Sequence, residues 1–160
     1  MSTRAEALAR RIEEGAAQLA AFVERLSDDE WNRKVRDGRT IGVIVHHVAD
    51  VYPIEVDLAR KIGSGTAVNE VTWEAVAEMN ANHSKKNAGV TKAAALAHLR
   101  ANSKAAADAV RRFTDTELDT AAPFGLSFGA PVTAQFVIED HALRHSWHHL
   151  ARIKQALGRN

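Results

Sequence analysis

This 160-residue chain contains no cysteine, only three prolines and almost no net charge. Without cysteine it has no disulfide, no thiolate nucleophile and no sulfur ligand, so a bound metal has to be held by histidine, carboxylate or water. The 21 basic and 20 acidic residues leave a formal charge of +1 with no basic block, which argues against a nucleic-acid partner. No run approaches about eighteen apolar residues, and the first residues lack the apolar core of a signal peptide. The sequence therefore predicts a cytoplasmic protein with no membrane partner.

The composition and the capping signals predict an all-α fold. Alanine and leucine are prominent in a chain that is 46% hydrophobic, and clusters of β-branched residues are few. Residues that can cap helix starts precede the apolar stripes, at Thr3, Ser27, Thr40, Thr91 and Thr114. We expect four long helices over about residues 3–26, 40–62, 91–113 and 133–158, short helices in the connections and an ordered loop over 121–131. An antiparallel up-down four-helix bundle, forming one domain over residues 1–160, is the economical arrangement.

Two histidines, His145 and His149, stand four residues apart in the last predicted helix. That spacing places two imidazoles on one helix face, about 5–6 Å apart at their Cβ atoms, which suits two nitrogens on one metal ion. A pair does not fill the coordination sphere of a metal, so a third ligand is needed. His47 in the second long helix is the best candidate, because it lies in an apolar arc that also contains Ile44 and Val48.

The other histidines of these two helices suit such a site less well. His46 and His148 fall on the polar sides of their helices, and we expect both to be solvated. His141 lies at the boundary, one turn before His145, and is an alternate ligand. Burying three imidazoles in an apolar bundle is costly unless their nitrogens find partners, and a divalent ion provides one for each ring. Hydrogen-bonded core histidines without a metal are the alternative.

A site with three protein ligands leaves at least one coordination position open, which is more typical of catalytic than of structural sites. Imidazole ligands fit a divalent metal ion, with zinc or nickel as the first expectation and iron or copper also compatible. A general base is then needed within reach of the ion. Glu55, two turns beyond His47 on the apolar side of the same helix, is the catalytic candidate. Pairing of Glu55 with an arginine is the alternative.

Four short motifs, taken in their order and spacing, make this chain resemble the DinB-like (YfiT-like) superfamily of metal-dependent enzymes. They are Leu26–Trp31, Asp37–Gly42, His47–Asp50 and His145–His149. The resemblance spans nearly the whole chain, and it implies an up-down four-helix bundle with a divalent metal bound by His47, His145 and His149. The family often continues the last motif with Arg-Gly-Gln, whereas Leu150-Ala-Arg152 follows here.

The resemblance also implies a function. It indicates a metal-dependent transferase or hydrolase that acts on a small-molecule substrate, with a low-molecular-weight thiol as cosubstrate in some relatives, and it favours a homodimer. From the residues alone, two functions of other classes stay open. One is a bundle that binds a metal or small ligand without turnover, and the other is an interaction protein whose histidines have no role.

Overall fold

The computed structural model describes residues 1–159, most of which are helical. The α-helical segments within these residues are α1 (Thr3–Glu24), α2 (Asp28–Trp31), α3 (Ile41–Gly63), α4 (Trp73–Lys86), α5 (Lys92–Val110), α6 (Asp115–Asp119), α7 (Ala134–Val137) and α8 (Arg144–Ala156). One turn of π-helix, Ile138–Leu143, joins α7 to α8, and we call residues 134–156 together the last helix. Two short strands, β1 (Ala121–Pro123) and β2 (Pro131–Thr133), precede the last helix.

Side-chain caps fix the helix starts close to the predicted positions. The first helix differs by one residue, because Ser2 rather than Thr3 is the cap and accepts a hydrogen bond from the backbone N–H of Ala5. The hydroxyls of the remaining caps accept in the same way from N–H groups in the first turns that would otherwise lack a partner. These caps are Ser27, Thr40, Thr72, Thr91, Thr114 and Thr133.

The bundle is built from α1, α3, α5 and the last helix, and contacts along α1 and α5 show that these two run antiparallel. Near the end of α1, Glu24 accepts a hydrogen bond from Arg100 in the middle of α5. Further towards the start of α1, Glu13 forms a bidentate salt bridge with Arg111 at the end of α5. The N–O distances are 2.8 and 2.9 Å.

The pair α3 and α5, in contrast, runs parallel. Asp50, in the first half of α3, accepts a hydrogen bond from His98 in the first half of α5, at 2.9 Å. Arg60, near the end of α3, lies over the ring of Phe113, just beyond the end of α5. The strict alternation of the predicted bundle therefore does not extend to this pair. The physical reason is α4, which carries the chain back along the bundle before α5 begins.

The last helix completes the bundle between α3 and α1. It runs antiparallel to α3, because Gly63 at the end of α3 packs against Ala134 at its start. It runs parallel to α1, because Lys154 near its end lies over the ring of Phe22 near the end of α1. The four helices therefore run up, down, down, up. The predicted all-α four-helix bundle is confirmed, with α1 diagonal to α3.

The segment predicted as a loop over residues 121–131 contains a small sheet. β1 pairs antiparallel with β2, with Ala121 opposite Thr133. Phe124, directly after β1, is fully buried and anchors the segment to the core. Three-residue strands that contain proline carry almost no alternating pattern, so the sequence did not indicate them.

One apolar core joins all four helices. Its fully buried side chains include one from each, namely Ile12, Ile44, Leu99 and Ile153. Among residues 1–159, no helix has the length and apolar character needed to cross a membrane.

The start of α3 depends on a close approach between Gly42 and Trp31. A Cβ added at Gly42 would come within 2.6–2.9 Å of three indole atoms, and the indole is buried and donates to the carbonyl of Val90 at 3.2 Å. We expect Gly42→Ala to lower the free energy of unfolding by roughly 1–2 kcal/mol, because overpacking exceeds the gain in helix propensity. Urea unfolding measures the change. Gly89→Ala, with nothing within 4 Å of its added Cβ, is the matched control, and equal stability of Gly42→Ala and the wild type would contradict the packing.

Candidate metal centre

Three histidines meet where α3 crosses the last helix, and we call His47, His145 and His149 the triad. Each offers one ligand atom, and these three atoms lie within 4.8 Å of one another. The Nε2 atoms of His47 and His145 are 3.2 Å apart, and the rings of His145 and His149 stack with centroids 4.7 Å apart. His47 and His149 are each only 4% exposed. The structure therefore brings together the three ligands that the sequence predicted, from helices that are distant along the chain.

Glu55 contacts the triad directly. Its Oε1 accepts a hydrogen bond from Nδ1 of His145 at 2.5 Å, and its other oxygen, Oε2, is buried without a partner. A carboxylate on one nitrogen of an imidazole fixes the ring orientation and leaves the other nitrogen free to bind a metal. Glu55 thus contacts His145 on the side of its Nδ1 atom. The alternative pairing of Glu55 with an arginine is absent among the described residues.

A buried polar contact sets the position of α3 against the last helix. The hydroxyl of Tyr52 hydrogen bonds the hydroxyl of Ser146, and both residues are fully buried. Tyr52 lies between His47 and Glu55 on α3, and Ser146 is the neighbour of His145. Because a buried hydroxyl without a partner is costly, this contact favours the one register in which the triad forms.

The electrostatic environment keeps two members of the triad neutral. Burial, with smaller contributions from His145 and Arg39, lowers the pKa of His47 from its ordinary value of 6.5 to about 2. Burial likewise lowers the pKa of His149 far below its ordinary value. Both rings are therefore unprotonated at neutral pH, which is the form in which imidazole binds a metal ion. The Nδ1 of His149 is buried and has no hydrogen-bond partner.

A cavity of about 540 Å³ opens beside the triad. Most of its wall is apolar, and α4 supplies one side of it through Trp73, Val76 and Met79. The indole N–H of Trp73 donates to the carbonyl of Leu126, which ties the start of α4 to the segment before the last helix. The volume suits a small molecule rather than a polymer chain.

Charged residues of both signs line the cavity, namely three arginines and three carboxylates. Arg39, Arg144 and Arg152 all line it. Arg144 pairs with Asp140, while Arg39 and Arg152 share the carboxylate of Asp37. The Nη1 of Arg39 is buried and has no protein partner.

The remaining histidines of α3 and the last helix have different positions. His141 lies in the π turn with its ring edge-on to Phe124; it lines the cavity but is outside the triad. His148 is exposed at the cavity, as its polar helix face predicted. His46 is partly buried, and its Nδ1 lies 2.8 Å from Nε2 of His83 on α4. The prediction that His46 is solvated is wrong, because α4 covers that side of α3.

Sequence reasoning missed two features of the site. The π turn has no local signal, and its wider hydrogen-bonding pattern underwinds the helix between His141 and His145. His141 lies within the π turn, whereas His145 and His149 lie in the regular helix α8. The position of Arg39 at the cavity was also missed, because nothing local shows that a residue in a turn lines a distant cavity.

Comparisons with known proteins agree with this architecture. The sequence profile of the DinB superfamily matches residues 11–153. The solved structure of YfiT from Bacillus subtilis aligns with a TM-score of 0.74 at 21% identity, over 100% of this chain and 91% of that chain. YfiT is described as a probable metal-dependent hydrolase with an unusual four-helix bundle topology. A search of curated proteins found no match.

The lowered pKa values of His47 and His149 predict a specific dependence of stability on pH. Between pH 6.5 and about 2 the unfolded chain protonates a ring that the folded chain keeps neutral, so stability is complete above pH 6.5 and is lost as the pH falls. At pH 5.5 each ring costs roughly 1.4 kcal/mol, and both together about 3 kcal/mol. Urea unfolding in EDTA at pH 7.5 and 5.5 measures the loss.

His149→Asn isolates one ring in the same experiment. The variant is expected to lose roughly 1.4 kcal/mol less than the wild type between the two pH values, because one of the two protonations is gone. An equal loss in both proteins would contradict the assignment.

Proposed function

Because this chain belongs to the DinB superfamily, we propose that it is a metal-dependent enzyme, a hydrolase or transferase that acts on a small molecule at the triad. The observation that carries the proposal is the convergence of three histidine ligand atoms at the wall of an open cavity. Three protein ligands leave room for a further ligand, and the cavity gives a substrate access to that position. YfiT, described as a probable metal-dependent hydrolase, supports the same class of function.

The residues present fit a divalent ion. His47 and His149 are neutral at pH 7, and the buried Nδ1 of His149 lacks the hydrogen-bond partner that such atoms almost always have. A set of three imidazoles suits zinc or nickel, and iron or copper is compatible with it. When bound, a divalent ion supplies Lewis acidity, which makes water or a thiol a stronger nucleophile near neutral pH.

Glu55 acts in this proposal by positioning His145. Its hydrogen bond to Nδ1 selects the tautomer in which Nε2 of His145 carries the lone pair, and Nε2 is the atom that faces His47. The unpartnered Oε2 of Glu55 leaves the same carboxylate able to take a proton, so the sequence-based prediction of a general base stays a prediction.

The substrate is proposed to carry an anionic group, such as a carboxylate or phosphate. Arg39, Arg144 and Arg152 line the cavity and provide guanidinium donors for it, and a guanidinium binds such groups with well-defined geometry. The apolar wall formed by Trp73, Val76 and Met79 suits a hydrophobic remainder of the molecule.

The test of the proposal combines metal content with turnover. Protein purified without a histidine tag is loaded with zinc or nickel and screened for hydrolysis of esters and amides and for conjugation of thiols, with anionic and neutral versions of each substrate. We expect turnover of anionic substrates that EDTA removes and added metal restores. In His47→Ala/His145→Ala, one ion fewer per chain and at least a roughly 100-fold lower rate are expected.

His148→Ala is the matched control for metal content, because it removes an exposed histidine from the same helix and retains the triad. Unchanged metal content in the His47→Ala/His145→Ala variant would reject the metal site. Loss of the ion from that variant, with no turnover of any substrate by the loaded wild type, would reject the enzyme and leave a metal-binding bundle.

Glu55→Gln separates the two roles of the carboxylate. If Glu55 positions His145, losing its charge weakens metal binding by roughly 10-fold to 100-fold. Competition with a chromophoric chelator measures the affinity. Wild-type affinity together with a lower turnover number would instead identify Glu55 as the general base and contradict the positioning role.

A further inference from the structure

A second cluster of histidines lies on the other side of α3, between α4 and α5. His46 and Asp50 are one turn apart on α3, His83 comes from α4 and His98 from α5. Nε2 of His98 is 2.9 Å from one oxygen of Asp50, and Nε2 of His83 is 3.7 Å from the other. Nδ1 of His46 is 2.8 Å from Nε2 of His83, and the rings of His46 and His98 stack with centroids 4.8 Å apart.

We propose that His46, Asp50, His83 and His98 bind a second divalent transition-metal ion, which fastens α4 to α3 and α5. His46, Asp50 and His98 each offer a ligand atom within 4.8 Å of the others, and His83 contacts two of them. Three imidazole nitrogens and one carboxylate oxygen are a ligand set that zinc accepts, whereas magnesium and calcium prefer oxygen.

The composition of the cluster favours an ion over a network of hydrogen bonds alone. Three imidazoles share a single carboxylate, so protonated rings would repel one another with only Asp50 to offset their charge. Nδ1 of His83 is also buried without a partner. Because an unpaired buried nitrogen is costly, the bonds made by Nε2 of the same ring have to offset that cost. One divalent ion satisfies three neutral rings and the carboxylate together.

This second site is separate from the cavity. None of its four residues lines the cavity beside the triad, although the rings of His83 and His47 touch edge-to-face with centroids 5.6 Å apart. Four protein ligands would close the coordination sphere of a tetrahedral ion, as in structural zinc sites. The ion is therefore assigned a structural role, and its binding does not depend on the triad.

The helix that needs such a fastening is α4. It has no buried residue. A tryptophan hydrogen bond lies near each of its ends: Trp73 donates to the carbonyl of Leu126 at its start, and Trp31 donates to the carbonyl of Val90 after its end. His83 is the α4 side chain in the cluster. Because Val76 and Met79 of α4 line the cavity, an ion at His83 would hold one cavity wall in place.

Zinc titration of the full chain tests the site. In a His145→Ala/His149→Ala background, which removes two triad ligands, we expect one zinc ion per chain by isothermal titration calorimetry. Adding Asp50→Asn and His98→Gln should abolish this binding or weaken it by more than roughly 10-fold. Adding Asp57→Asn and His148→Gln instead, which changes an exposed carboxylate of α3 and an exposed histidine, should leave it intact. Absence of zinc binding in the His145→Ala/His149→Ala background overturns the proposal.

The same substitutions in the wild-type chain guard against misfolding of the combined variants. Asp50→Asn/His98→Gln alone should bind one zinc ion fewer than the wild type, and an unchanged stoichiometry would reject the second site. Hydrogen exchange then tests the fastening of α4. In the His145→Ala/His149→Ala protein, zinc should slow exchange in residues 73–86, and zinc binding without this protection would reject the structural role.

Discussion

The burial of neutral imidazoles in an apolar bundle determines how α3 and the last helix have to pack. His47 and His149 are almost inaccessible, and burial keeps both uncharged. A buried imidazole is costly unless its nitrogens have hydrogen-bond or metal partners. The packing of α3 against the last helix gives partners to some of these nitrogens and leaves others without one. Glu55 satisfies one nitrogen of His145, whereas Nδ1 of His149 has no protein partner. The ring that lacks this partner belongs to the triad.

The order of the helices turns this cluster into an accessible site. A strictly alternating bundle would join neighbouring helices by short loops and leave the face of α3 beside the last helix open to solvent. Here the chain returns along the bundle through α4, and α5 then runs parallel to α3. The returning helix covers His46 on one side and forms one wall of the cavity on the other. The same connection therefore creates both the cavity beside the triad and the second histidine cluster.

Local sequence signals predicted the helices and the triad. Capping residues such as Thr40 determine where helices begin, and the spacing of His145 and His149 holds because both lie in α8, where the helix is regular. His47 could be selected because an apolar arc on one helix shows which face is buried. The family resemblance pointed to the same three residues.

What the sequence did not predict depends on contacts between distant segments or on irregular backbone. His83 and His98 belong to different helices, and only the crossing of α4 and α5 over α3 brings them to His46 and Asp50. The π turn that contains His141 has no local sequence signal, and His141 lies outside the triad although it is four residues from His145. The role of Glu55 likewise needed the position of His145, because an acidic residue on an apolar face fits a base, an ion pair or a hydrogen bond equally well.

Anomalous diffraction at the zinc absorption edge, from crystals of the untagged protein grown with zinc, tests whether the triad binds a metal ion. We expect a strong anomalous peak enclosed by the imidazoles of His47, His145 and His149. An ordered triad with no peak between its rings at saturating zinc would contradict it.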